Sequence, residues 1–186
     1  MNTMNIRQAL QEKREEEVIV AFVNWLNTWD SRRWEIVERP NPPDAILRSG
    51  TTFTWIEHTN IFRNDEEARD QMSHRTPGEQ PYTHPGQSIY LRDTFGEAFS
   101  DRLHCKLTLL SYEPVHRKFG RGILLLDERD PLFDARTLED IRERAVAYAE
   151  WSPKGGLGFY STVYLHYFNK DKWRFEFKKL VVFQEN

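Results

Sequence analysis

Apolar positions along this chain follow two periods, 3.6 and 2, and the switches between them mark its elements. Helical spacing runs from about Asn5 to Trp29, with Ile6, Leu10, Val18, Ala21 and Trp25 on one arc. Glu17 falls inside that arc, while Glu15 and Glu16 point elsewhere. A short strand is expected around Trp34 to Glu38. Pro43 cannot donate to a ladder, so the next strand begins at Asp44. Ser49-Gly50-Thr51 is a turn signal, and Thr52 to Thr59 is rich in the β-branched and aromatic residues that suit a strand. A polar stretch from Arg63 to Gly86 then breaks the pattern. Its start, Asn64 to Arg69, reads as a capped helical turn and the rest as a loop of the length that borders a site or lacks order.

The second half is more regular. Phe95, Phe99, Leu103, Leu107 and Leu110 predict a helix from Phe95 to about Leu110, with Lys106 at the edge of its apolar face. Gly122 to Asp127 is a continuous apolar run, as in a strand covered on both faces. Thr137-Leu138-Glu139-Asp140 has the form of a capping box and opens a helix to about Trp151, with Leu138, Ile141, Ala145 and Tyr148 inward. Lys154 to Gly158 lacks the spacing of a phosphate-binding loop and reads as a connector. Phe159 to Phe168 and Trp173 to Phe183 predict a closing hairpin around Asn169-Lys170-Asp171-Lys172. The order implies an α/β fold, a single mixed β-sheet flanked by helices, in one domain over residues 1–186.

Composition narrows the function classes. The 186 residues are 39% hydrophobic and 13% aromatic, which suits a globular chain. The net charge of −3 argues against a protein wrapped in nucleic acid, though not against a local basic groove. A lone cysteine, Cys105, excludes an internal disulfide and a cysteine-based zinc site, and fits a reducing compartment. No apolar run is long enough to span a bilayer, and Met1-Asn2-Thr3 begins no signal peptide, so a cytoplasmic protein with no membrane partner is expected.

The chemistry concentrates in Asp44 and in Trp55-Ile56-Glu57-His58-Thr59. If the hairpin loop is Gly50-Thr51, Asp44 lies directly opposite Glu57. If it is Ser49-Gly50, Asp44 pairs with Trp55 and Glu57 is the diagonal neighbour on the same face. Either loop brings two carboxylates together, with opposed Cβ atoms roughly 4.5–5.5 Å apart. A three-residue loop would separate them. Such a pair repels unless a proton or a cation intervenes, and oxygen ligands suit Mg²⁺. The competing reading is a core Glu57 paired with an arginine.

An inward Glu on the first helix, Pro43-Asp44 at a strand start, Glu57 on the next strand, then a helix and further strands together resemble the PD-(D/E)XK nuclease superfamily over about residues 5–130. The resemblance implies a restriction-endonuclease-like fold and Mg²⁺- or Mn²⁺-dependent endonuclease hydrolysis of DNA. Asp44, Glu57 and the main chain of His58 would hold the metal, with Glu17 as the helical acid. The sequence departs from that pattern at Thr59, which stands where the family has its lysine. Lys106 is the candidate to replace that charge, because its stem can lie along the core while its head reaches a cavity. Arg63 is a weaker one. The alternatives are a metal-only mechanism and a catalytically inactive interaction or nucleic-acid-binding protein on the same scaffold. The oligomeric state, a homodimer included, is left open.

Other candidates are weaker. His74 and His84 are too far apart in a proline-rich stretch to suggest zinc, and His104, His116 and His166 form no constellation with a nucleophile. His58 alternates onto the face opposite Glu57, which suggests a structural ring. Two basic-aromatic groups, Arg117 to Arg121 and Lys170 to Arg174 with Lys178-Lys179, are able to contact phosphates or simply to solvate an edge. Trp25, Trp29 and Trp55 are expected in the core, and Trp151 and Trp173 at an interface.

Overall fold

A computed structural model describes residues 3–62, 95–128, 133–151 and 157–182. Within these, helix α1 (Thr3–Trp29) leads into β1 (Glu35–Glu38), β2 (Ala45–Ser49) and β3 (Thr52–Ile61). Helix α2 (Phe95–Thr108) is followed by a 3₁₀ turn (Leu110–Tyr112), α3 (Glu113–Phe119) and β4 (Gly122–Glu128). Helix α4 (Ala135–Trp151) precedes β5 (Tyr160–Asn169) and β6 (Arg174–Val182). The strands form one six-stranded sheet in sequential order. The β1–β2, β2–β3 and β5–β6 pairs are antiparallel, and β3–β4 and β4–β5 are parallel. The expected mixed sheet flanked by helices is therefore observed.

Two cores sandwich this sheet. On one face Ile46, Trp55, Leu124, Leu126, Val163 and Leu165 pack with Phe99, Leu103 and Leu107 of α2 and with Ile141 and Ala145 of α4. On the other, Ala45, Leu47, Ile56, Leu125 and Tyr164 pack with Val18, Ile19, Phe22, Val23 and Leu26 of α1. Period-two alternation explains the split, because adjacent residues of β3 serve opposite cores. Trp55 is the keystone of the α2 face. It is fully buried, its indole donates to the Gly120 carbonyl at 2.9 Å, and it lies so close to β4 that a Cβ on Gly122 would come within 2.3 Å of the ring. Only glycine fits there.

Several sequence expectations need correcting. The buried stripe of α1 is Val18, Ile19, Phe22, Val23 and Leu26, whereas Leu10, Ala21 and Glu17 face solvent. The 27-residue helix is polar enough that more than one arc fits its spacing, and tertiary packing chose a different one. Trp29 is 78% exposed, and Trp34 is buried in its stead. Helix α4 is capped by Asp134, whose carboxylate accepts from the backbone and hydroxyl of Thr137 at 2.8 and 2.9 Å, so Thr137 lies inside the first turn. Helix α3 went unexpected, although Pro114 in its first turn is a helix-start signal. The polar stretch 63–94, with Arg63, His74 and His84, and the connector 152–156 lie outside the described residues.

Candidate functional site

The β2–β3 turn settles the register. Ser49 pairs with Thr52 and Ala45 with Ile56, so Gly50-Thr51 is the loop, with Gly50 at φ +61°. The strand begins at Ala45 rather than Asp44, and one step beyond the ladder the register would set Asp44 opposite Glu57, whose charge acts on it. Pro43 is buried just before it, and Asp44 is fixed by the backbone N–H of His58, which donates to its Oδ2 at 2.7 Å.

Glu57 lies on the α2 face beside Trp55 and is almost fully buried. Lys106, in the last turn of α2, reaches it: Nζ donates to Glu57 Oε1 at 2.6 Å, with the lysine side chain 16% exposed. Leu103 and Leu107 hold that turn of α2 against the sheet, so Lys106 emerges at the rim of the apolar face with its head over β3. The ammonium also donates to the Tyr112 hydroxyl at 3.3 Å. Tyr112 stacks on Trp55, with ring centroids 5.5 Å apart, and meets Tyr160 edge-on at 5.8 Å. The ionic group thus rests on an aromatic floor.

Its electrostatics are unbalanced. Burial, and then the charge of Glu57, push the Asp44 carboxyl up to about 6. Burial, reinforced by Glu57, raises the Tyr112 hydroxyl well above the ordinary tyrosine range, so it stays a neutral donor. Lys106 satisfies only one oxygen of Glu57; Oε2 is buried and has no hydrogen-bond partner. A carboxylate oxygen left in that state is costly.

The donor set fits a hard divalent cation. Two carboxylates from adjacent strands, the main-chain carbonyl of His58 and water would supply the oxygen ligands that Mg²⁺ takes. Among the described residues no group of three or more His, Cys, Asp or Glu side chains could hold a metal by itself, so main chain and solvent would have to complete the shell.

The remaining candidates separate clearly. Thr59 follows Glu57 on the same face of β3 and brings no charge. Glu17 is not part of the group: it is exposed and lies 4.0 Å from Lys13, one turn away on the same helix. The α1 acid whose charge reaches Asp44 is Glu15, which sequence spacing had pointed elsewhere. The His58 ring does turn to the α1 face. There its Nε2 lies 3.5 Å from Asp127 Oδ2, while His166 Nδ1 lies 2.8 Å from Asp127 Oδ1. This buried His-Asp-His row, and the role of Tyr112, had no sequence signal. Their residues are far apart in the chain, and only strand alignment joins them.

No family model, curated protein or solved structure matches this chain. No described helix is long and apolar enough to cross a membrane.

Proposed function

We propose that this protein is a metal-dependent phosphodiester hydrolase acting on DNA, on a restriction-endonuclease-like scaffold of the PD-(D/E)XK kind. One observation carries the reading: a lysine from α2 meets Glu57 at 2.6 Å, beside an Asp44 that the N–H of the next residue, His58, holds at 2.7 Å. The charge missing at Thr59 is thereby supplied from another element. The sheet order and the position of α2 between the parallel strands β3 and β4 support the same reading.

Asp44, Glu57 and the His58 carbonyl would hold Mg²⁺ or Mn²⁺. When bound, such an ion polarises a phosphoryl oxygen and lowers the pKa of the attacking water. The chain's own groups do the rest. The His58 N–H fixes the Asp44 carboxylate. The Lys106 ammonium would face the negative charge that builds on a phosphoryl group bound at these acids, and would hold the attacking oxygen by a hydrogen bond. The Tyr112 hydroxyl restrains that ammonium, and the Trp55 ring closes the site from beneath.

The test is cleavage of plasmid and single-stranded DNA with Mg²⁺ or Mn²⁺ by wild type, Asp44→Ala and Lys106→Ala. Metal-dependent cleavage by wild type alone is expected. Activity that survives Asp44→Ala discards the assignment. A second reading, an inactive interaction protein, is favoured by the fact that Lys106 and Glu57 form a buried ion pair of the kind that serves structure alone. Calorimetry showing no heat of Mg²⁺ or Mn²⁺ binding at millimolar metal would select it.

A further inference from the structure

The β5–β6 hairpin carries features that neither core nor the proposed site uses. Trp173 sits in its turn at φ +53° with 79% of its surface exposed. A bulky side chain is disfavoured in that backbone region, where glycine or asparagine is usual. An indole left in water also forgoes its burial. Folding alone therefore gives no reason for tryptophan here, and local rules broken in this way point to function.

Trp173 is also the end of a row. It meets Phe168 at 5.5 Å, Phe168 meets Phe175 at 5.2 Å, and Phe175 stacks on His166 at 4.9 Å. Phe175 is 54% exposed, so the row runs from the buried edge of the α1 face out to the open turn. The segment 170–179 holds five cations, Lys170, Lys172, Arg174, Lys178 and Lys179, against Asp171 and Glu176, in a chain whose net charge is −3. Glu176 engages Lys172 at 3.0 Å and Arg174 at 2.9 Å and so fixes that side of the turn. Lys170 is exposed at the turn, and Lys179 is exposed on the aromatic face beside Tyr164.

We propose that this hairpin is a docking surface for a single strand of nucleic acid, with Trp173 and Phe175 stacking on bases and Lys170 and Lys179 meeting phosphates. A strip one ring wide with cations along it matches a strand in which flat bases and anionic phosphates alternate. It matches a compact apolar protein epitope less well, because such epitopes are depleted of lysine at their centre. The inference does not depend on hydrolysis and uses none of Asp44, Glu57 or Lys106.

The experiment is fluorescence anisotropy of a labelled oligothymidylate with the full chain in EDTA, so that cleavage cannot intervene and failure of the hydrolytic reading leaves the result intact. Wild type is expected to bind. Trp173→Ala/Phe175→Ala should weaken binding about tenfold or more. Lys170→Gln/Lys179→Gln should lower the slope of log affinity against log salt by about one unit. All four residues are exposed, so circular dichroism should show both variants melting like wild type. Absence of wild-type binding overturns the proposal. So does unchanged affinity in the aromatic variant, or tighter binding of anionic vesicles that the same substitutions weaken.

Discussion

Two polar groups lie back to back on β3, one residue apart in sequence, and they solve burial in opposite ways. On the α2 face, Glu57 keeps an oxygen without a partner and shares its surroundings with Asp44, an acid pushed up to about 6. On the α1 face, Asp127 is more deeply buried, yet its carboxyl lies below the ordinary range. Burial alone would raise it, and the 2.8 Å hydrogen bond with His166, helped by the His58 ring 3.5 Å away, outweighs that. The first group carries two acids and a single cation. The second places one acid between two imidazoles. The Asp127 carboxylate is compensated, although both ring nitrogens of His58 are buried without a hydrogen-bond partner, whereas Glu57 and Asp44 keep unrelieved acid charge at a half-open position, as functional sites do.

The sharpest way to break this contrast is to remove one member from each side. Lys106→Ala should lower metal-dependent cleavage by about 10²–10³-fold, as expected when a group facing developing charge is lost. Asp127→Asn should leave cleavage within a few-fold at temperatures where the protein stays folded. The two groups are joined at His58, whose main chain donates to Asp44 while its ring faces Asp127. A large loss of cleavage in Asp127→Asn would mean that the buried row positions the site, and the contrast would fail.

Stability should fall in both variants, since Lys106→Ala leaves the buried Glu57 without its cation. Asp127→Asn removes the charge that both imidazoles face and is expected to cost on the order of 2–3 kcal/mol in urea unfolding at neutral pH. The effect has a definite pH sense. Asp127 has a folded-state pKa below its unfolded value, so its contribution is complete above about pH 4 and is lost as pH falls through the folded value. The urea difference between wild type and variant should accordingly shrink in acid.

Asp44 runs the other way. Its folded pKa of about 6 exceeds its unfolded value, so what it contributes is present below about pH 4 and is lost as pH rises through about 6. Without metal, Asp44→Asn should therefore be more stable than wild type at pH 7, by about 1 kcal/mol, and no more stable at pH 4. The Asn oxygen is still able to accept from the His58 N–H. Thermal melts with and without Mg²⁺ check this: the ion should stabilise wild type and leave Asp44→Asn unchanged.

How much of this was legible in the sequence follows the range of each interaction. The hairpin register could be counted, because a two-residue loop and period-two alternation fix it locally, and Asp44 and Glu57 fall out of that count. Lys106 could be nominated, since its position at the rim of an apolar helical face limits where its head can go. Asp127 and His166 could not be joined to His58. The parallel alignments of β3 with β4 and of β4 with β5 bring them together, and no local signal encodes those alignments. Tyr112 was hidden in a 3₁₀ turn that hydrophobic period does not reveal. On α1, a sequence polar enough to admit several arcs gave Glu17, whereas the charge that reaches Asp44 from this helix is that of Glu15.

That last substitution gives the smallest and most discriminating test. Glu17 lies on the solvent side of α1 near Lys13, an exposed pair worth little. Glu15 accepts from Gln11 at 2.9 Å and adds to the field that holds the Asp44 carboxyl high, although it ranks behind burial and Glu57. Glu15→Gln should therefore lower the Asp44 titration midpoint by a small fraction of a unit, while Glu17→Gln should leave it in place. Carbon-detected NMR titration of the Asp44 carboxyl group reads both. A midpoint that moves only with Glu17 would restore that residue to the site and rotate α1 away from the packing described above. A midpoint that follows Glu15 would tie the first helix to the acid pair on the far side of the sheet by charge alone.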